Sequence, residues 1–397
     1  MLKRLLELRG ADASHPDSAT LMPAPNPTLN RDHEVIRVME PWLGDEEQAR
    51  LLATMRGGII SSAGPAVREF EVALARACGT EHAFALSCGT HALELALHCL
   101  EVGPGDEVIV PAFAFISVGA AVARRGARPV FVDVDAATLN LDASLLSAAI
   151  TQRTRGLIAV HTYGQMCDMD AICHVADEHE LFVLEDACEA MGCRLGGRAA
   201  GGLGDVAVHS FYANKMITTG NGGAITTDSD ELAALVADLR GYSYAPERFF
   251  WHHHLPFNMR MSALSAAVGV AQLERLPDLV AARRALGRRY RERLSQIPGL
   301  ILPVFARGSV PWMYTVQLED TYADDVAGLR ARLAARGVET RPAFAPLHVQ
   351  PVLQRAAEPV QGPFPKAEWA SQTGLNLPSD PRLTDAQLDL ICEVVRS

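Results

Sequence analysis

One stretch of the sequence decides the fold, and it runs from His209 to Gly223 as HSFYANKMITTGNGG. Apolar runs at residues 205–209 and 224–227 flank it, which predicts strand, irregular loop and strand. Lys215 stands in the middle of the loop among small and hydroxyl-bearing residues. An amine held away from water gives up its charge more readily, which favours Schiff-base chemistry. A solvated lysine beside turn glycines is the alternative, and this stretch alone leaves both open.

The rest of the chain up to residue 275 alternates short apolar strands with amphipathic helices. The predicted strands are residues 82–86, 106–110, 129–135, 156–161 and 181–186. The predicted helices are residues 41–56, 67–78, 91–100, 169–179 and 232–240. Strands this apolar, joined by helices, predict an α/β fold with a mostly parallel sheet covered by helices on both faces.

A smaller α+β domain is predicted after a long helical pattern at residues 262–294, which we expect to kink near Pro277. Its predicted elements are a strand at 312–318 and helices at 324–336 and 385–395. The segment before the helical pattern, residues 242–260, is irregular and rich in aromatic residues and histidine. Its three adjacent histidines lack the spacing of metal ligands, so no metal site is expected there.

Several chemically distinctive residues fall at the carboxyl ends of predicted strands or in the loops beside them. They are Gly89, Thr90, Phe115, Asp186 and Lys215. Ligands of parallel α/β sheets bind at that edge, so we expect these residues to meet in one site. The first two lie in a tight turn between a strand and a helix, where free backbone amides bind phosphate. Ordinary helix capping by Ser87 or Thr90 is the alternative for that turn.

Composition excludes several classes of function. The chain has 397 residues and a formal net charge of −11, which argues against a binder of nucleic acid or anionic membranes. Eight scattered cysteines without a CxxC pair favour reduced thiols in a cytoplasmic protein. No apolar run has membrane-spanning length, and the N-terminus does not resemble a signal peptide.

A lysine, a strand-end carboxylate, an aromatic ring and a phosphate cup together describe a site for pyridoxal 5′-phosphate (PLP). Asp186 would keep the pyridine nitrogen of the cofactor protonated, and Phe115 would stack on its ring. Lys215 would hold the cofactor as an imine and then act as general base. The phosphate would be held by Gly89, Thr90 and Ser210. Each residue alone has an ordinary explanation as a cap, a core ring or a loop hydroxyl, but their coincidence favours one site.

The motifs that carry this chemistry also resemble a known family. They are GTHALELAL, GPGDEVIVPAFAF, PVFVDVD, HTYGQMCDMDAI, LEDACEAMG, SFYANKMITTGNGG and FNMRMSALSAAVGVAQLERL. From about Pro41 to the C-terminus the chain resembles the nucleotide-sugar aminotransferases of the DegT/DnrJ/StrS type. Within that family, four segments are most similar to the 4-aminotransferases of the perosamine synthase type: ANKMITTGNGG, RFFWHHHLPFNMRM, PWMY and VETRPAFAPLH. The resemblance implies a fold-type-I PLP transferase with a large PLP-binding domain (41–275), and a connecting helix with the small domain (276–397). An N-terminal arm (1–40) lies outside it.

The resemblance implies the same roles for Lys215, Asp186 and the phosphate cup, and it adds further residues. Glu189 takes the position near the hydroxyl of the cofactor. Asn258 and Arg260 would reach across a homodimer interface to the phosphate and substrate of the neighbouring site. Arg341 and His348 match a segment of the small domain for which the resemblance implies a role in binding the sugar nucleotide.

The implied reaction is transfer of an amino group from L-glutamate to the 4-keto position of a nucleotide-linked 6-deoxyhexose such as GDP-4-keto-6-deoxymannose. A 3-keto sugar nucleotide or a cyclitol ketone is the alternative acceptor, and a PLP-binding regulatory protein without turnover is the alternative from another class. Lys215 argues against the sister activity of 3-dehydration, in which a histidine replaces the lysine. Two departures from the family pattern, Ile59 and Leu255-Pro256-Phe257, leave the sugar and nucleotide undetermined.

Overall fold

The computed structural model describes residues 35–245, 247–248 and 250–397. The predicted N-terminal arm therefore lies outside the described residues up to position 34. Its last residues join the small domain, because Ile36 forms a parallel bridge with Val338 and the carbonyl of Val38 accepts a hydrogen bond from the amide of Ser379. No helix in the described part of the chain is long and apolar enough to span a bilayer.

Seven strands form the main sheet, in the spatial order β1-β7-β6-β5-β4-β2-β3. They are β1 (His82–Leu86), β2 (Glu107–Pro111), β3 (Arg128–Val132), β4 (Thr154–Val160), β5 (Phe182–Asp186), β6 (Val206–Ser210) and β7 (Gly223–Thr227). Only β7 runs antiparallel to its neighbours, so this sheet is mostly parallel as the sequence predicts. A short hairpin (Arg194–Leu195 and Arg198–Ala199) stands apart from it.

The helices that accompany this sheet follow the predicted alternation. They are α1 (Asp45–Arg56), α2 (Pro65–Cys78), α3 (Gly89–Cys99), α4 (Ser117–Arg124), α5 (Leu146–Ala149), α6 (Met169–Glu178), α7 (Asp230–Leu239) and α8 (Ala263–Glu274). Alternate residues of a strand point to opposite faces of a sheet. Val108 and Val110 of β2 accordingly enter the core beneath α3, α4 and α7, and Ile109 enters the core beneath α2, α6 and α8.

The strand register brings the carboxyl ends of the central strands to one edge of the sheet. Asp186, the last residue of β5, pairs with Val160 of β4. Gly223 at the start of the antiparallel strand pairs with both Leu86 of β1 and Ser210 of β6. The lysine loop lies between Ser210 and Gly223, so it emerges at the edge where ligands of such sheets bind.

A second, antiparallel sheet forms the core of the C-terminal part, in the order β8-β9-β11-β10. Its strands are β8 (Leu300–Ile301), β9 (Tyr314–Leu318), β10 (Arg341–Pro342) and β11 (Gly374–Leu377). Its helices are α9 (Leu276–Leu294), α10 (Val326–Ala335), α11 (Pro351–Ala356), α12 (Pro365–Thr373) and α13 (Asp385–Arg396). Buried side chains of α9, α10 and α13 cover the sheet with a core of its own.

The long helix predicted at residues 262–294 is two helices rather than one kinked helix. Arg275 lies between the two helices as the C-cap of α8 and the N-cap of α9, with φ −90° and ψ −2°. Pro277 follows in the first turn of α9, where its missing amide hydrogen costs no hydrogen bond. The proline therefore starts a new helix instead of bending an existing one.

Candidate active site

The lysine loop is fixed by hydrogen bonds of its own backbone. The amide of Lys215 donates to the carbonyl of Tyr212 at 2.9 Å, and the amide of Thr219 donates to Phe211 at 3.0 Å. Helix α8 also supports the loop, because Oε1 of Gln272 accepts the amide of Thr218 at 3.2 Å. The side chain of Lys215 is 13% exposed, so the solvated loop lysine of the alternative reading is not what the structure contains.

The amine of Lys215 lies between a carboxylate and an aromatic face. Its Nζ is 3.5 Å from Oε1 of Glu189 and 3.7 Å from the centroid of the Trp312 ring. The indole N–H of Trp312 donates to the carbonyl of Asn214 at 2.7 Å, which locks the ring against the loop. Both neighbours stabilise a positive charge on the amine and orient it.

Asp186 is buried at the end of β5. Its Oδ1 accepts the amide of Cys188 at 3.0 Å. Burial raises the pKa of Asp186, and the hydrogen bonds from Cys188 and the positive charge of Lys215 lower it only in part. A positive charge beside this buried carboxyl stabilises its ionised form. The carboxylate in turn stabilises the positive charge, as is needed beside a protonated pyridine nitrogen.

Glu189 is the second buried carboxyl of the site. Its Oε2 accepts the amide of Tyr163 at 2.8 Å while its Oε1 faces the lysine. Burial raises the pKa of Glu189, although the charge of Lys215 and the Tyr163 amide act against it. Tyr163 adopts the left-handed backbone conformation at φ 54°, which is unfavourable for a bulky residue. The hydrogen bond between its amide and the carboxylate of Glu189 is formed in this conformation.

The residues predicted to bind phosphate meet where β1 leads into α3. A Cβ on Gly89 would lie 2.9 Å from Cβ of Ser210 and 3.2 Å from Sγ of Cys188, so only glycine lets the three segments approach. Gly223 is equally confined, since its Cβ would lie 2.3 Å from the carbonyl carbon of Cys88. Gly89, Ser210 and the strand end that bears Asp186 therefore meet, with Thr90 in the first turn of the helix.

Helix α3 begins two residues earlier than the sequence predicts. Cys88 is the N-cap, and its Sγ accepts the amide of His91 at 3.4 Å. The amide of Gly89 thereby becomes one of the free donors at the positive end of the helix dipole. Ser87 is engaged elsewhere, because its hydroxyl lies 2.7 Å from Nδ1 of His91.

Phe115 belongs to an aromatic cluster that joins the two sheets. It is 54% exposed, and its ring lies 5.9 Å from that of Phe344, which comes from the small domain. Phe344 also packs on Tyr163 at 4.9 Å, and Tyr163 stacks on Trp312 at 6.2 Å. The exposed ring of Phe115 is thus available for stacking.

Asn258 and Arg260 lie alongside the phosphate turn of their own chain. The carbonyl of Met259 between them accepts the amide of Ser87 at 2.7 Å, and Arg260 forms a backbone bridge with Leu86. Nδ2 of Asn258 donates to the Tyr242 hydroxyl at 2.8 Å, and the guanidinium of Arg260 lies over the Tyr242 ring. Their predicted role at a neighbouring subunit's site stays a prediction.

The structure does not join Arg341 and His348 to the lysine. Arg341 is an exposed residue of the strand β10, and its guanidinium is 3.8 Å from the carboxylate of Glu339. His348 is buried against Phe131 of the edge strand β3, and its Nε2 bonds to Glu368 at 3.1 Å. Among the described residues, neither has a hydrogen bond or ring contact with the lysine or its two carboxylates. Their predicted substrate role stays a prediction.

The side chains gathered at this sheet edge fit PLP. A glycine cradle at a helix N-terminus suits the phosphate, a buried carboxyl suits a protonated ring nitrogen, and a half-exposed ring suits stacking. Within the described residues, no group of three or more His, Cys, Asp or Glu side chains could hold a metal ion. The eight cysteines are free thiols.

Comparison with known proteins decides the family. Residues 41–396 match the model of the DegT/DnrJ/EryC1/StrS aminotransferase family. The chain belongs to this family. Similar proteins include the GDP-perosamine synthase of Caulobacter vibrioides, 43% identical over 90% of this chain and 96% of that protein. Another is the GDP-perosamine synthase of Vibrio cholerae, 34% identical over 91% of this chain and 99% of that protein.

Solved structures agree with the family assignment. An aminotransferase TlmJ from Streptoalloteichus hindustanus superposes with a TM-score of 0.85 at 34% identity, covering 91% of this chain and 98% of that one. DesV from Streptomyces venezuelae gives 0.82 at 37% identity, covering 88% and 93%. This member of the DegT/DnrJ/EryC1/StrS family is a PLP-dependent aminotransferase, so the predicted fold, enzyme class and cofactor are confirmed.

Sequence reasoning missed three residues that shape the site of this family member. Trp312 packs its ring on the amine of Lys215, and the amide of Tyr163 donates a hydrogen bond to Glu189. Phe344 of the small domain packs against Phe115. Their segments, PWMY, HTYGQ and TRPAF, are visible in the sequence as parts of the family resemblance. Their roles depend on contacts between distant segments, which a periodic pattern does not encode.

Proposed function

We propose that the chain transfers an amino group from L-glutamate to the 4-keto carbon of a nucleotide-linked 4-keto-6-deoxyhexose of the GDP-4-keto-6-deoxymannose type. The observation that carries the proposal is the amine of Lys215, held 3.5 Å from Glu189 at the same sheet edge as the buried Asp186. The 43% identity to a GDP-perosamine synthase supports a sugar nucleotide as the acceptor.

Lys215 is the residue that moves protons in this account. PLP, when bound, supplies an electron sink for the carbon from which a proton leaves. Nζ of Lys215 takes the proton from the α-carbon of glutamate and, in the second half of the reaction, delivers a proton to C4 of the sugar. Glu189 and Trp312 orient that nitrogen, because they contact it from two sides.

The remaining residues hold the cofactor in register with the lysine. Asp186 stabilises the protonated form of the pyridine nitrogen, because a buried carboxylate and a cation beside it stabilise each other. Gly89, Thr90 and Ser210 bind the phosphate at the start of α3. Phe115 offers its exposed face to the ring.

We also propose a homodimer in which Asn258 and Arg260 complete the neighbouring site. Asn258 is exposed, and its segment already borders the phosphate turn of its own chain. An exposed amide and a guanidinium so close to that turn would meet a phosphate group if the same turn of a second chain faced them. This arrangement follows the family resemblance, and the mixing experiment below tests it.

A panel of acceptors tests the proposed substrate. The protein is incubated with [15N]glutamate and, in separate reactions, with GDP-4-keto-6-deoxymannose, a dTDP-linked 4-keto-6-deoxyglucose and a 3-keto sugar nucleotide. We expect the GDP-linked acceptor to react fastest and the label to appear on C4, read by mass and by NMR. Lys215→Ala is the blank. A labelled 3-amino product as the main outcome would overturn the position and favour the 3-keto alternative, which the 38% identity to a dTDP-3-amino-3,4,6-trideoxy-glucose transaminase supports.

A further inference from the structure

Arg283 of the helix α9 is the only buried arginine among the described residues, with 5% of its surface exposed. The carboxylate that attracts it, Asp380, is hydrogen-bonded to Arg382 instead. Burial lowers the pKa of Arg283 to about 10, and the charge of Asp380 offsets this effect only in part. A buried charge is costly unless hydrogen bonds compensate for it, so the partners of this guanidinium indicate what it does.

Both hydrogen bonds of the guanidinium go to backbone carbonyls. Its Nη1 donates to the carbonyl of Trp312 at 2.9 Å and to the carbonyl of Ser379 at 3.1 Å. Neither carbonyl accepts another hydrogen bond within the described residues. Arg283 therefore joins the helix α9 to the segment before β9 and to the segment after β11.

Trp312 is held by hydrogen bonds from three directions. Its amide donates to the carbonyl of Tyr163 at 3.0 Å, and its indole N–H donates to the carbonyl of Asn214 at 2.7 Å. Those two partners lie after β4 and in the lysine loop, whereas Arg283 binds the tryptophan from the helix that leads into the small domain. Without Arg283 the backbone of Trp312 would lose its anchor on that side.

The anchor matters because of where the indole ring lies. The ring centroid is 3.7 Å from Nζ of Lys215, whose side chain is only 13% exposed. A shift of the tryptophan backbone would move the ring away from the amine and open the amine to water. Arg283 does not contact the amine, so any effect on it passes through the tryptophan.

We propose that Arg283 is a positioning residue for amino transfer, which holds the backbone of Trp312 so that the indole ring covers the amine of Lys215. The proposal rests on the role of Lys215 in the proposed function, but not on the identity of the acceptor. The helix that leads into the small domain thereby contributes to the state of the lysine through one guanidinium.

Acetylation of the lysines in the cofactor-free full-length protein tests the proposal. Sulfosuccinimidyl acetate is the reagent, and peptide mass spectrometry gives the labelling rate of Lys215 relative to Lys366. The side chain of Lys366 is 42% exposed, and it serves as the internal reference. In Arg283→Met we expect the relative rate of Lys215 to rise by about tenfold, because the amine reacts when the ring is off it. A role in stability alone would leave this rate unchanged well below the melting temperature.

Arg289→Met is the matched control. Arg289 lies on the same helix and also donates to a backbone carbonyl, that of Leu383 at 2.8 Å, but its other partner is Asp385 and it does not contact Trp312. The relative labelling rate of Lys215 should therefore stay at the wild-type value in this variant. An equal rise in Arg289→Met would overturn the proposal, since any damage to the helix would then expose the amine.

A double-mutant cycle asks whether Arg283 acts through the tryptophan. Trp312→Leu should raise the labelling rate of Lys215 by itself, and adding Arg283→Met should raise it no further. The single-turnover rate of the cofactor-loaded enzyme should show the same non-additivity, with each variant slower than wild type. Fully additive effects in both measurements would overturn the proposal.

Arg283→Lys keeps a buried donor and should give a labelling rate between those of the wild type and Arg283→Met. It also serves as the test variant if Arg283→Met does not fold. A labelling rate that is unchanged from wild type in every folded variant of Arg283 would overturn the proposal. Labelling that changes as expected, in a protein that aminates none of the proposed acceptors, would instead refute the proposed function and leave the positioning of the lysine by Arg283 intact.

Discussion

The indole ring of Trp312 lies over the amine of Lys215, with Nζ 3.7 Å from the ring centroid. The ring is fixed by its N–H bond to Asn214, the residue before the lysine. Trp312 lies two positions before the strand Tyr314–Leu318 of the small sheet, whereas the lysine loop connects two strands of the main sheet. The position of the reacting amine therefore depends on how the two sheets pack together.

Removing the ring should slow amino transfer. Trp312→Leu loses both the cation–π contact and the bond to Asn214, and we expect a loss of about tenfold in single-turnover rate, from a contact worth ~1–2 kcal/mol. Trp312→Phe keeps an aromatic ring but has no N–H donor, so its single-turnover rate should lie between those of the wild type and Trp312→Leu. Trp42→Leu is the matched control, because Trp42 makes a similar contact with Arg275 away from the site. Equal slowing in that control would mean that the effect is not specific to the lysine.

Asp186 should matter for turnover more than for binding. In Asp186→Asn the side chain keeps its shape and its acceptor for the Cys188 amide but no longer stabilises a protonated ring nitrogen. We expect the variant to retain PLP, measured by absorbance after desalting, and to lose turnover on the order of a hundredfold, as for one preorganised electrostatic group. Near wild-type turnover would reduce Asp186 to a strand-end cap.

Without the cofactor, the same residue should make stability depend on pH. Burial raises the pKa of both Asp186 and Glu189, so the folded chain holds their protons more tightly than the unfolded chain. The free energy of unfolding therefore falls as pH rises from about 4, the usual carboxyl pKa, through the raised values. Cofactor-free Asp186→Asn should escape part of this loss and resist urea better than cofactor-free wild type at pH 7.

Asp142 provides a control of opposite sign for that experiment. Although burial acts to raise it, hydrogen bonds from Ser144 and Lys366 leave the pKa of Asp142 below its usual value. Its contribution to stability is present above the usual carboxyl pKa and is lost as pH falls through the lowered value. Asp142→Asn should therefore be less stable than wild type at pH 7. A loss of stability at pH 7 in Asp186→Asn as well would contradict the account of its buried charge.

Mixed dimers test whether two subunits build each site. Lys215→Ala should be inactive, and Asn258→Ala/Arg260→Ala nearly so. A dimer that combines the two chains has one site with an intact lysine from one subunit and an intact Asn258 and Arg260 from the other. Unfolding and refolding the two proteins together should thus restore part of the activity. Samples that contain mixed dimers by mass spectrometry and yet stay inactive would rule out the shared site.

The elements that could be predicted from the sequence are those with a local signal. The strands His82–Leu86 and Phe182–Asp186 are short apolar runs, and the loop around Lys215 is marked by its glycines. The order of the strands explains why these segments meet, and the repeated strand–helix pattern already places their carboxyl ends at one edge. Lys215, Asp186, Gly89 and Ser210 accordingly lie together as expected.

The remaining features depend on contacts that no local pattern encodes. The helix Pro365–Thr373 and the strand Gly374–Leu377 were not predicted, because both are short and one follows the other without a turn signal. Trp312 contacts Lys215, which lies 97 positions earlier in the sequence, and donates a hydrogen bond to Asn214, which lies 98 positions earlier. His348 shows the converse, since its segment resembles the family but its imidazole bonds to Glu368 against the edge strand.

Covalent labelling of the lysines tests the central claim most directly, because the chain contains only three of them: Lys3, Lys215 and Lys366. Lys366 is ion-paired with Asp142 at 3.0 Å, and Lys3 lies outside the described residues. Reduction of the PLP-loaded protein with borohydride should fix the cofactor to the peptide that contains Lys215, and the label should persist in Lys3→Arg and Lys366→Arg variants. Label on either of those two lysines in the wild type, or cofactor that stays removable after reduction, would contradict the account.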